Sequence, residues 1–157
     1  MPVSKDEFRS AMSRFASGVT VVTTKAEDDR LAGITVSAFS SVSLEPPLIL
    51  VCIDARASLH ALLKEGAQFA VNILNAEQEL ISRRFASRDE DRFSGTGYTI
   101  GENGAPLLTG ALATIECRVV QSYPGGDHSI VVGEVEHATV AEGKPLAYFR
   151  GGYAQLA

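Results

Sequence analysis

The sequence predicts an all-β barrel with a few short helices on its outside, and three observations predict it. First, about six stretches have the length and β-branched, apolar character of strands: 19–24, 34–43, 48–53, 68–74, 111–122 and 128–140. Second, helical periodicity is confined to short stretches at the N-terminus, after Ser58 and after Asn75. Third, Tyr123-Pro124-Gly125-Gly126-Asp127 places turn residues between the two longest strand-like runs, which predicts a long hairpin. Many strands with few helices favour a sheet closed on itself over a layered α/β arrangement.

In chain order, Ser4-Lys5-Asp6-Glu7 reads as a capping box, with Ser4 as the N-cap and Glu7 three residues on. Phe8, Ala11, Met12 and Phe15 follow at helical spacing as one apolar stripe, and Gly18 is a stop. Residues 19–24 form a strand and 25–30 a charged turn. A strand over 34–43, broken by Pro46-Pro47, leads to a second over 48–53, whose unbroken apolar character predicts burial on both faces. Ser58 is expected to cap a short helix with Leu59, Leu62 and Leu63 inside and Gly66 at its end. After the strand at 68–74, Asn75 is expected to cap a helix burying Leu80, Ile81 and Phe85. Residues 86–106 are polar and Gly-rich and read as a lid or wrapping loop. The terminus holds Tyr148, Phe149, Arg150 and Tyr153, and a segment so aromatic is expected to be docked.

Composition narrows the function classes. The chain has 157 residues, which predicts one domain spanning 1–157, and 45% are hydrophobic, enough for an ordinary core. The net charge of −5, with no basic cluster beyond Arg83-Arg84, argues against nucleic acid or an anionic membrane as partner. The N-terminus has no apolar leader and the run at 48–53 is too short to span a bilayer, so a cytoplasmic location is expected. Cys52 and Cys117 lie in apolar runs without CxxC spacing and read as small buried hydrophobes. His60, His128 and His137 are scattered and lack zinc-site company, so no metal is expected. No GxSxG elbow, P-loop or GxGxxG turn occurs.

What remains is a hydroxyl-rich stretch. Thr35, Ser37, Phe39, Ser41 and Ser43 share one parity of a strand, so one face would carry four hydroxyls and a phenyl ring. That face suits a ligand that is flat at one end and phosphorylated at the other; a solvated edge strand reads equally well. Small Ser37 and Ala38 let backbone approach a ring. Ser58 is either a phosphate donor at a helix start or a plain N-cap. His128 beside its turn is either a surface group or a ligand contact. Arg150 is a stacking cation, a phosphate contact or a core-edge arginine.

The residues also match a known family. Phe15-Ala16-Ser17-Gly18-Val19-Thr20, Thr35-Val36-Ser37-Ala38-Phe39, Ser41-Val42-Ser43-Leu44-Glu45-Pro46-Pro47, Phe69-Ala70-Val71-Asn72, Phe85-Ala86, Gly126-Asp127-His128 and Tyr148-Phe149-Arg150-Gly151-Gly152-Tyr153 run in family order along nearly the whole chain. The chain resembles the flavin reductase-like domain family, short-chain NAD(P)H:flavin oxidoreductases that include reductase components of two-component flavin monooxygenases. The resemblance implies an FMN-binding split β-barrel, Greek-key-like, with short peripheral helices, acting as a homodimer. It implies FMN or FAD held by Thr35, Val36, Ser37, Ala38, Ser41, Ser43, Cys52 and Ser58, with Arg84, Phe85 and Ala86 on the flavin side. His128, Arg150 and Tyr153 would serve NADH or NADPH. The reaction implied is hydride transfer from the nicotinamide to flavin, with reduced flavin passed to a separate monooxygenase. The alternative is a flavin-binding electron carrier or store without nicotinamide turnover. No side chain is implied as an acid or base, because flavin carries the chemistry.

Overall fold

The computed structural model describes residues 1–157. Its elements are α1 (Lys5–Met12), β1 (Ser17–Gly18), β2 (Thr20–Lys25), β3 (Leu31–Val36), β4 (Phe39–Ser43), β5 (Leu48–Asp54), a 3-10 turn (Ser58–Leu62), β6 (Gln68–Ile73), α2 (Glu79–Phe85), β7 (Tyr98–Ile100), β8 (Pro106–Leu108), β9 (Ala113–Gly125), β10 (His128–Val140), β11 (Leu146–Phe149) and β12 (Gly152–Gln155). The architecture is mainly β, as the sequence predicts. Seven strands form one antiparallel sheet in the order β3-β2-β6-β9-β10-β5-β4. A small sheet β1-β11-β12 and the pair β7-β8 lie outside it.

The strands β3 and β4 follow one another in the chain yet form the two opposite edges of that sheet. Only Ser37 and Ala38 connect them, so the Cα atoms of Val36 and Phe39 lie within about 11 Å, three trans peptide steps. Both edges must therefore meet at this end, and the sheet curls into a barrel with an open seam. Ala38 stays on the β4 side of the seam: its carbonyl accepts the Cys52 N–H at 3.0 Å, one step beyond the Phe39–Val51 pair. The alternation seen in the sequence thus does not belong to a single strand. Phe39 packs against the barrel core, opposite Val51, instead of presenting its ring to a ligand beside the hydroxyls.

Inside the barrel lies a core that includes Val22, Val51, Ile53, Leu59, Phe69 and Val71. A second core of Val19, Val21, Leu74, Phe85, Phe93, Leu108 and Leu146 lies between β2 and the elements outside it. The strands covered on both faces are consequently β2 and β6, and not the strand at 48–53. In β5, Ile49, Val51 and Ile53 are buried while Leu48, Leu50 and Cys52 are half-buried, because no layer covers its outer face. The buried polar groups of β2 and β6 are all used. Thr23 Oγ1 donates to Pro106 O at 2.6 Å, and Asn72 Nδ2 donates to Val21 O at 2.9 Å while its Oδ1 accepts Leu108 N–H at 2.9 Å. These bonds fix β8 onto the barrel, which a buried amide left unpaired would oppose.

Local expectations fare unevenly. The Ser4–Glu7 capping box forms, with Glu7 N–H on Ser4 Oγ at 3.1 Å and Ser4 N–H on Glu7 Oε2 at 2.9 Å. Those bonds hold the Glu7 carboxyl below its usual range. Yet α1 buries nothing: Phe8 and Met12 are 56% and 55% exposed, and Phe15, beyond its end, is 82% exposed. Ser58 is not a cap; the N-cap is Ala57 and no side chain caps the turn. The second helix starts later than expected, with Gln78 at its N-cap, Leu80 exposed, and Ser82 and Phe85 as its buried pair. Asn75 instead donates its amide to Gly110 O. The hairpin turn narrows to Gly126-Asp127, since Tyr123 and Pro124 remain in β9. Residues 86–106 contain a buried anchor, Phe93, and the strand β7, which pairs with β8 at their end. No helix is long and apolar enough to cross a membrane.

Candidate functional site at the barrel seam

The free edge of β3 is held from outside by α2 and the loop behind it. Gly33 is buried, and a Cβ there would lie 2.8 Å from the Phe85 ring, so the strand approaches the helix as only glycine allows. Thr35 Oγ1 donates to Ser82 O at 2.6 Å, in the last turn of α2. Arg92 Nη1 donates to Gly33 O at 2.7 Å, and its other nitrogens bond Ser87 O and Asp89 O. Since Gly33 O points away from β2, and the β2-β3 pairing has no bulge, the N–H and C=O of Thr35 face the same free edge. Neither joins any turn or loop bond. They form a donor and acceptor pair along the seam.

Across the seam, Ser37 and Ala38 are exposed, and Ala38 is bonded to the half-buried Cys52. Cys52 pairs with Ile130 and Asp54 with His128. Their side chains share the outer face of the sheet, opposite the core residues Val51, Ile53 and Val131. His128 is thereby diagonal to Cys52, about 7–8 Å away. Its Nδ1 lies 2.8 Å from Asp127 Oδ1. A carboxylate only accepts, so Nδ1 carries the proton and Nε2 is left free. The His128 ring holds the Asp127 carboxyl below its usual range, and Arg56 does the same, more strongly, to Asp54 through two side-chain bonds at 2.9 and 3.1 Å.

A cleft of about 960 Å³ opens beside Gly33, under the 3-10 turn and the loop at 88–94. Ser58, Arg30 and Arg88 stand exposed on its walls. Its size falls in the range of ligand pockets.

The structure thus brings together Thr35, Ser37, Ala38 and Cys52 at the seam, with His128 nearby and Ser58 in the adjoining cleft. It does not bring the other predicted residues there in the same way. Val36 is a core residue. Ser41 and Ser43 lie farther along β4, opposite Ile49 and Leu48. Arg84 turns from the seam: its guanidinium donates to Arg92 O and Asp91 O and pairs with Asp89 at 3.6 Å. Phe85 is buried, while Ala86 caps α2 and is exposed. Arg150 occupies the β11-β12 turn with φ 53°, its N–H on Ser13 O. Tyr153 places its hydroxyl 2.7 Å from Ser82 Oγ, under the Arg83 guanidinium. Sequence reasoning missed Gly33, Ser82 and Arg92. A glycine amid β-branched residues was the one available signal; Ser82 and Arg92 gave none.

Comparison with known proteins bears on this geometry. The model of the flavin reductase like domain matches residues 12–157. An NADH-dependent flavin reductase of Rhodococcus sp is 42% identical over 154 residues, covering 94% of this chain and 84% of that protein. The reductase component of 4-hydroxyphenylacetate 3-monooxygenase from Thermus thermophilus is 44% identical over 154 residues, 97% of each chain. Among solved structures, the NADH:FAD oxidoreductase SgcE6 of Streptomyces globisporus C-1027, in complex with NAD and FAD fragments, superposes with a TM-score of 0.92 at 38% identity, covering 98% of this chain and 93% of that one. A match of this extent, over the barrel, its seam and the C-terminal hairpin alike, establishes that the chain belongs to the flavin reductase like domain family.

Proposed function

We propose that this chain is an NAD(P)H-dependent flavin reductase whose flavin lies along the seam. The observation that carries the reading is the free edge of β3, where the Thr35 N–H and C=O stand unpaired beside the exposed Ser37 and Ala38. Backbone groups of this kind match the alternating donors and acceptors on the edge of an isoalloxazine, and the small residues admit a flat ring. The adjoining cleft offers the Ser58 hydroxyl and the Arg30 and Arg88 cations to a phosphorylated tail, although Asp89, Glu90 and Asp91 also line it and offset that charge. Bound flavin supplies a ring that accepts hydride. The protein's own work is to bind, to align two flat rings and to exclude water between them. His128, with Nε2 free at the outer face, is placed to hydrogen-bond the hydride donor. NADH is the donor we expect, being the one named for both the Rhodococcus and the Streptomyces proteins.

The exposed stripe of Phe8, Met12 and Phe15 supports a homodimer in which a second copy covers it. F15D should convert the dimer to monomer in sedimentation. Reduced flavin would then pass to a monooxygenase, a reading supported by the Thermus relative's name as the reductase component of one. The test is a turnover assay crossing FMN and FAD with NADH and NADPH. Flavin-dependent oxidation of a nicotinamide supports the reading; none in any combination refutes it.

A further inference from the structure

The C-terminal hairpin is tied to the seam by an unbroken set of contacts. Tyr153, half-buried, sets its ring against the second core and its hydroxyl 2.7 Å from Ser82 Oγ. Ser82 is fully buried in the last turn of α2. The carbonyl of the same Ser82 accepts the Thr35 hydroxyl at 2.6 Å. One turn of helix is therefore gripped on one side by β12 and grips β3 on the other. Phe85, three residues on, closes against Gly33, so the grip on β3 has two points. Arg83 over the Tyr153 ring at 4.9 Å and Tyr148 edge-on to it at 5.3 Å orient the phenol.

We propose that Tyr153 is a positioning residue for flavin: its hydroxyl pins Ser82, and Ser82 sets where β3 presents the Thr35 backbone to the seam. This rests on the assignment of flavin to the β3 edge. The phenol is bonded to Ser82, so in this proposal Tyr153 acts on the flavin side of the reaction through α2.

The test compares Y153F, S82A and the double variant in the full chain. Loss of one shared hydrogen bond should raise the flavin dissociation constant about five-fold in each single variant, with the NADH KM unchanged. The double variant should be no worse than either single, because both remove the same bond. In flavin-free protein the Thr35 amide resonance should move in both single variants. An unmoved Thr35 amide overturns the coupling whether or not flavin binds there. A raised NADH KM with unchanged flavin affinity overturns it in favour of direct donor contact. Equal losses in every kinetic constant, tracking a drop in Tm, overturn it in favour of a structural role. Should the wild type bind no flavin, the assignment of the seam itself fails, and the amide shift alone decides the Tyr153–Ser82–Thr35 link.

Discussion

The two edges of the seven-stranded sheet are built on opposite principles. β3 is held by α2 and by Arg92: Gly33 and Thr35 are fixed by a ring contact, a hydroxyl bond and a guanidinium bond. β4 has no such cover. Ser40, Ser41 and Val42 are exposed, and a register shift interrupts its pairing between Ser41 and Ser43. The difference teaches that the seam has one rigid wall and one open wall. A rigid wall loses little freedom when a ring docks against it, which favours placing the ring-binding groups there.

Arg92 offers the strongest way to break this contrast. R92A removes charged bonds to three carbonyls, and we expect a loss of about 3 kcal/mol of stability by urea unfolding, together with faster proteolysis at 87–94. S41A, on the open edge, should stay within about 0.5 kcal/mol of the parent. G33A comes next. Its Cβ must displace the Phe85 ring, at about 2 kcal/mol, and flavin affinity should fall with it. An unaffected G33A would mean that the wall is softer than the contacts indicate. Across the seam, H128A should raise the NADH KM about ten-fold, or about 1.4 kcal/mol, and leave flavin affinity intact. Equal loss of both would assign His128 to the hairpin's structure.

The smallest effect is chemical. Burial pushes the Cys117 thiol up to about 12, so it stays neutral, and unreactive in the folded chain, until pH rises through that value. Cys52 is half-buried beside Ala38 and should be the thiol that labels in the folded chain. Saturating flavin should slow that labelling; unchanged labelling would place the ligand elsewhere.

Local signals were legible in the sequence and distant ones were not. The Ser4–Glu7 box and the β9-β10 turn are set by neighbours within a few residues; the box appears as expected, and the turn expected over 123–127 appears narrowed to Gly126-Asp127. The break between β3 and β4 left no mark, because alternation continues through Ser37-Ala38 without glycine or proline. Only the tertiary fold, which packs Phe39 on the barrel core and Thr35 against α2, separates the two strands. Leu48, Leu50 and Cys52 are apolar without being enclosed, so hydrophobicity alone overstated their burial. Arg84 is charged and precedes Phe85, which packs on β3, yet the carbonyls of Asp91 and Arg92 claim it. Tyr153 and Ser82 are 71 residues apart, and no periodicity reports such a pair.

The central claim is that flavin lies against the edge of β3. Titrating FMN into the isotope-labelled chain, with amide resonances followed residue by residue, tests it most directly. The largest shifts are expected at Thr35, Ser37 and Ala38, smaller ones at Ser58, and none at Ser43. Shifts confined to the β9-β10 tip, or absent from Thr35 at saturation, would contradict it.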